Sequence, residues 1–275
     1  MSELCSEVQV VVKERMRLVT AVLAASHWPQ IEQKIRTHAV HPHAKEIQRF
    51  VQPYQTHPAV VLTNQLLAQH VPVEDLFAAA LRSSWPDFRP FERLPGPLMD
   101  GRWVTQLEAF LRDTGISERF WSRHYAVWEE VQNQLCAIFA DIKMPELLAK
   151  AAQKSLPQQI VVMPNLGFPA LSTLVAETGQ NLYVIVPPLL AVGESPPWPY
   201  HEDPPAVLVN VWQALLTHLM GEQWAAQEKA MLHGLTVLFL ETAVDEGEAM
   251  SYMVRAKKQH QLSDLPGIVE RLRQA

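Results

Sequence analysis

Apolar positions recur along most of this chain at helical spacing. Between 14 and 25, Met16, Val19, Val22 and Leu23 fall on one face. The same period predicts helices over 44–54, through Ile47, Phe50, Val51 and Tyr54, and over 59–69, behind a Pro58 that a first helical turn tolerates. Further helices are predicted over 74–81 and 102–112. A long one capped by Ser117 follows over 117–141, its stripe Phe120, Tyr125, Trp128, Val131, Leu135, Ile138 and Phe139. Pro145 and Pro157 bracket a short helix, and the period returns over 205–220, 223–243, 246–259 and 265–273.

Three short runs have a different texture. Val8-Gln9-Val10-Val11-Val12, Ile160-Val161-Val162-Met163 and Leu182-Tyr183-Val184-Ile185-Val186 are β-branched and read as strands. Asn165-Leu166-Gly167-Phe168-Pro169 and Glu177-Thr178-Gly179-Gln180-Asn181 read as turns, and 84–101 as a proline-rich loop. There is no internal repeat. The expected fold class is α+β, predominantly helical, with a small sheet assembled from distant strands.

Composition narrows the function classes. Of 275 residues 48% are hydrophobic and 19% charged, too apolar for a disordered chain. The net charge, 23 − 29 = −6, gives no basic footprint, so no nucleic acid is expected. No apolar run reaches the ~18 residues of a membrane span, so no membrane is expected. The short apolar run 18–26 follows Glu3, Glu7 and Glu14 and reads as a helix rather than a secretory signal. Cys5 and Cys136 are far apart in sequence and read as free thiols, and the expected compartment is cytoplasmic.

Candidate chemistry is sparse. No G-x-x-x-x-G-K, G-x-G-x-x-G or G-x-S-x-G is present, and Ser172 lacks glycine flanks, so no cofactor is expected. His38, His41 and His43 cluster with Glu46, but Pro42 interrupts them; they read as loop histidines at a helix entrance rather than metal ligands. Glu241, Asp245, Glu246 and Glu248 gather near a helix boundary, where acids also meet the helix dipole favourably.

The order of segments carries a resemblance. A strand pair ending in Tyr183-Val184-Ile185-Val186, a linker, an apolar helix and then Tyr252-Met253-Val254-Arg255-Ala256 is similar to the C-terminal half of a zincin-type metallopeptidase. Tyr54-Gln55-Thr56-His57-Pro58-Ala59-Val60 and Phe110-Leu111-Arg112-Asp113-Thr114 resemble the N-terminal half of a bacterial family of uncharacterised gluzincin-like proteins. The resemblance implies one zincin-like domain over 1–275, with a mostly helical lobe at 1–157 and a second at 158–275 holding the strands and former active-site helices. Family members carry H-E-F-S-H on the apolar helix, two histidines one turn apart for zinc and a glutamate as general base. The matching stretch here is Leu208-Val209-Asn210-Val211-Trp212-Gln213-Ala214-Leu215. Asn210 and Ala214 replace the histidines and Val211 the glutamate; Ser251 stands where the third ligand falls, with Glu248 one turn earlier. The resemblance thus implies a degenerate H-E-x-x-H and a pseudoenzyme with no metal.

Three functions are carried forward. The first is a non-catalytic protein that binds a peptide or protein partner in the old cleft, with 182–186 as the pairing edge and Tyr252 and Arg255 as polar contacts. The second is an active hydrolase with a displaced metal set, His218 and His233 with Glu241 or Glu248. The third is a structural or assembly module that exposes some of its eight tryptophans as an interface. Of the 21 prolines, those at 187, 188, 196, 197, 199, 204 and 205 form a stiff strap expected to lead into the cleft.

Overall fold

The computed structural model describes residues 3–4, 7–35, 38–156, 158–167, 172–190, 197 and 199–274. The chain opens with two-residue strands β1 (Glu3–Leu4) and β2 (Gln9–Val10). It then runs through α1 (Glu14–Ala25), α2 (Trp28–Ile35), α3 (Pro42–Val51), α4 (Pro58–Ala68), α5 (Val73–Leu81), α6 (Arg102–Thr114), α7 (Ile116–Arg119), α8 (Tyr125–Phe139) and α9 (Met144–Ala152). Strands β3 (Gln159–Pro164), β4 (Leu174–Glu177) and β5 (Asn181–Val186) follow. Helices α10 (Pro204–Met220), α11 (Glu222–Gln227), α12 (Lys229–Ala243), α13 (Glu246–His260) and α14 (Leu265–Gln274) complete it. The protein is α+β and predominantly helical.

Three helices begin with the same device. His41, His57 and Asp203 each cap a helix N-terminus with a side-chain acceptor, taking the amide protons of His43, Ala59 and Ala206. Proline follows directly in all three, at Pro42, Pro58 and Pro204, where its missing N–H leaves no bond unmade. Part of the proline excess is therefore helix starts.

The sheet has the order β1-β2-β3-β5-β4. β3 and β5 pair in parallel from Gln159↔Asn181 to Pro164↔Val186, and β2 joins β3 in parallel. β1 and β4 are antiparallel to their neighbours and form the two edges. The strand expected at the edge, 182–186, is interior: β5 has β3 on one side and β4 on the other. Its sequence carries the reason. Leu182 to Val186 is a continuous apolar run buried on both faces, as an interior strand requires. The true edge, Leu-Val-Ala-Glu, is too short and too weakly β-branched to stand out.

Other boundaries moved as well. The predicted helix over 117–141 is interrupted: Phe120 departs from helical geometry (φ −126°, ψ −57°), and Trp121–His124 form a 3-10 turn before α8. The 223–243 helix breaks at Glu228 (φ −102°, ψ 39°). Helix α2 was not foreseen. Pro157, Phe168 and Pro169 lie outside the described residues.

One contiguous apolar core joins both halves of the chain. Trp212 of α10 stacks on Phe239 of α12 at 4.4 Å with their planes 7° apart. Trp103, Trp121, Trp128 and Trp212 are buried and Trp28, Trp85 and Trp224 half-buried, so no described tryptophan is fully exposed; Trp198 lies outside the described residues. Cys136 is disulfide-bonded, not free; the chain's other cysteine, Cys5, lies outside the described residues. Gln132, one turn before Cys136, donates to Val10 O at 3.3 Å, so this part of α8 lies against the N-terminal strands. Disulfides mark oxidising compartments, and the cytoplasmic expectation loses the free thiols that supported it. Among the described residues no helix is long and apolar enough to cross a membrane.

The turn after β3 is pinned to the helical half. Asn165 N donates to Val186 O at 2.9 Å and Asn165 Nδ2 to Thr20 Oγ1 at 2.7 Å. A Cβ on Gly167 would sit 2.5 Å from Ile47 Cδ1 and 2.9 Å from Thr20 Cγ2. Gly167→Ala should therefore cost about 1–3 kcal/mol in urea denaturation. Adding Ile47→Val, which removes Cδ1, should return part of that loss; unchanged stability in Gly167→Ala would refute the close approach.

Candidate functional site

Helix α10 has two faces. Val207, Leu208, Val211, Trp212, Leu215 and Leu216 are buried in the core. Asn210, Gln213, Ala214, Thr217 and His218, spaced three and four apart, form the opposite stripe and line a cleft of about 940 Å³. Helix α5 lines it through Glu74, Asp75 and Ala78, with Arg82 just past the helix end, and Glu222 of α11 lines it as well. All four residues of β4, Leu174 to Glu177, line the cleft. Neighbouring strand residues point to opposite sheet faces, so consecutive lining means that the strand presents its edge.

The register says which edge groups are open. Thr178 N donates to Asn181 O, so Thr178 turns inward to β5, as do Ala176 and Leu174 in alternation. Glu177 and Val175 turn outward. The Glu177 carbonyl accepts from Arg82 Nε at 3.1 Å and Nη2 at 2.8 Å. Arg82 Nη1 donates to Arg93 O at 2.9 Å, so the guanidinium closes this end of the edge. The alternation turns the N–H and C=O of Val175 toward the cleft, where no described residue bonds them.

The candidate residues named from sequence separate into three places. Asn210, Ala214 and His218 share the cleft stripe, and His218 Nε2 lies 3.3 Å from Glu177 Oε2. Val211 does not belong to the cleft: it is 0% exposed and packs in the core. Tyr252 stands behind the cleft wall. Its hydroxyl accepts from Gln213 Nε2 at 2.6 Å and donates to His233 Nδ1 at 2.5 Å. Glu248, Ser251 and Arg255 are not cleft residues; Arg255 pairs with Glu248 at 2.7 Å on the outer face of α13. The expectation that Arg255 contacts a cleft ligand is corrected accordingly.

The displaced metal set does not assemble. Glu241 is taken by Arg273, Glu248 by Arg255, His218 by Glu177, and His233 by Tyr252. Among the described residues, the one group of three with donor atoms within 4.8 Å is His43, Glu46 and His124. His41 caps α3, and His38 bonds Gln33. Within the trio, Trp128 Nε1–H donates to His43 Nε2 at 3.0 Å, which takes that nitrogen's lone pair. The neutral ring then carries its proton on Nδ1, which points toward Glu46 Oε2 at 3.7 Å and has no lone pair for a metal. His124 donates from Nδ1 to Phe120 O at 2.9 Å. The trio is a polar end to an aromatic cluster, with His124 stacked on Phe120 at 4.2 Å.

Sequence reasoning missed Glu74, Asp75, Arg82 and Val175. The acids opened an ordinary amphipathic helix and Val175 sat in an unrecognised strand; only the fold brings them to α10. The proline strap is described only at its ends. Tyr200 there donates to Val186 O at 2.7 Å and from its amide to Gln134, and no described strap residue lines the cleft.

Burial sets the protonation of the polar network behind the wall. Desolvation first, then His260 and Lys229, lower the His233 pKa to about 4, and desolvation raises Tyr252 to about 12 against the opposing hydrogen bonds of Thr236 and Gln213. Desolvation, with His124 and Arg17 beside it, lowers His43 to about 3. Both rings are neutral when folded, while the unfolded chain takes up protons near 6.5. Between those values the unfolded state binds more protons, so stability should fall as pH drops from 6.5 toward 4. Denaturation midpoints measured across that window should show the fall, and His233→Gln should lessen it, His43 supplying the remainder; an unchanged slope would contradict a neutral buried His233. In comparisons with known proteins, no family model, no curated protein and no solved structure matches this chain.

Proposed function

We propose that this protein binds an extended peptide segment in the α5–β4–α10 cleft without cleaving it, on a zincin-like scaffold whose zinc site has been lost. The observation that carries the binding reading is the edge of β4. Val175 turns its N–H and C=O, unbonded among the described residues, toward a cleft large enough for an extended chain. Strand addition would satisfy both groups, while side chains of the guest alternate between the α10 stripe and the opening.

The zincin-like part rests on placement along α10. Asn210 and Ala214, the positions the resemblance gives to the two histidines, lie one turn apart on the cleft stripe. Asn is a poor zinc ligand and Ala offers none. The position of the general base is Val211, turned into the core. The cleft therefore retains a floor and an edge strand but no hydrolytic machinery on α10.

Two measurements test the reading. A fluorescein-labelled seven-residue peptide of alternating Ser and Val should bind saturably, and Ala214→Trp, which fills the cleft floor, should abolish binding while circular dichroism stays unchanged. Binding that survives Ala214→Trp would refute the cleft as the site. Dialysis against a chelator should leave Tm unchanged, whereas a fall of several degrees restored by zinc would mean that a metal is held after all.

A further inference from the structure

We propose, resting on the strand-addition reading above, that Gln213 selects a guest side chain able to donate a hydrogen bond, a hydroxyl or a primary amide, by presenting a carbonyl oxygen of fixed direction to the cleft.

Gln213 lies half-buried on the cleft side of α10, and its side-chain amide is held from behind. Nε2 donates to the Tyr252 hydroxyl at 2.6 Å and to Thr236 Oγ1 at 3.2 Å. Proton accounting fixes which end of the amide faces these two groups. Thr236 spends its hydroxyl proton on Leu232 O at 2.7 Å. Tyr252 spends its own on Nδ1 of the neutral His233 ring at 2.5 Å. Both hydroxyls then show Gln213 lone pairs only, which an NH2 group satisfies and a carbonyl oxygen does not. A flipped amide would set its oxygen against two others. Oε1 is therefore turned away from the network. It bonds no described residue, and it is not among the buried orphan atoms, as Trp212 Nε1 and Asn165 Oδ1 are. An accessible acceptor thus faces the cleft.

The neighbours on the stripe carry no such direction. Asn210 and Thr217, one turn to either side, form no side-chain hydrogen bond with a described residue, so each can turn to donate or to accept. Ala214 offers only a methyl group. A guest strand alternates its side chains between the stripe and the opening, so one that falls over Gln213 meets an oxygen already aimed at it. A donor there gains its bond at little ordering cost, because Tyr252 and Thr236 have fixed the amide beforehand. An apolar side chain would strip water from Oε1 and return nothing, and an acceptor would face another acceptor.

The test uses the full chain and three fluorescein-labelled seven-residue peptides of alternating Ala and Val whose central residue is replaced by Ser, O-methylserine or Ala. O-methylserine keeps the side-chain oxygen and loses its proton. Anisotropy titrations should show the Ser peptide binding about fivefold more tightly than the other two. Gln213→Met keeps the side-chain length without the amide. In that variant, shown to be folded by circular dichroism, the Ser peptide should fall to the level of the Ala peptide. The comparison of the three peptides on the unaltered protein stands without the variant. O-methylserine binding as tightly as serine would overturn the proposal, as would a serine preference that persists in Gln213→Met; either result leaves the strand-addition reading standing. Saturable binding of none of the three would overturn the strand-addition reading itself.

Discussion

A sheet that does not close has two edges, and the rest of this structure depends on how the β4 edge is treated. The order β1-β2-β3-β5-β4 leaves β4 with a partner on one side only. Exposed edges are usually blunted, by charge, by brevity or by a covering element. Here the treatment is partial. β4 is four residues long, and Arg82, just past the end of α5, caps the Glu177 carbonyl with two nitrogens. At Val175, two residues upstream and the next to turn outward, no described residue bonds the edge, and α5 and α10 line a cleft beside it. Protection at one point and exposure at the next is what the proposed strand addition requires of this edge.

The two faces of α10 make that arrangement affordable in stability terms. Its core face buries Val211, Trp212, Leu215 and Leu216 against α12 and the sheet, so the helix needs nothing from the cleft to stay in place. Gln213, at the margin, is anchored from behind by Tyr252, which in turn is satisfied by a neutral His233. Gln213, Tyr252, His233 and Thr236 satisfy one another here, as burial in a poorly solvated region demands, whereas Trp212 Nε1 on the core face of α10 is buried with no hydrogen-bond partner among the described residues. The cleft stripe is therefore free to carry small and polar side chains selected for something other than packing.

How much of this was legible in the sequence follows from what each signal depends on. The period of α1, α4, α6 and α10 was readable because one face of each is apolar over several turns. The α+β class was readable from β3 and β5, whose runs are apolar throughout. That same continuity argued against an edge position for 182–186, an inference that only the pairing with β3 and β4 makes plain. β4 was silent because four residues with alanine and glutamate carry no alternation to detect. On α10, Asn210, Ala214 and His218 could be placed on one face by counting, while Val211, one residue on, was turned into the core by the same 100° step. Glu248 and Arg255 were drawn toward the cleft by chain order alone; in three dimensions they satisfy each other. The histidine run was legible only in part: capping by His41 follows from the proline after it, but the bond from Trp128 to His43 joins residues far apart in sequence.

Backbone hydrogen exchange at β4, resolved by residue, is the most direct probe of the central claim. Leu174 and Ala176 amides point into the sheet and Val175 points into the cleft. The account predicts slow exchange at Leu174 and Ala176 and fast exchange at Val175 in the free protein, with Val175 alone becoming protected when an extended peptide is added. Protection of Val175 without peptide, or fast exchange there in the presence of saturating peptide, would contradict it.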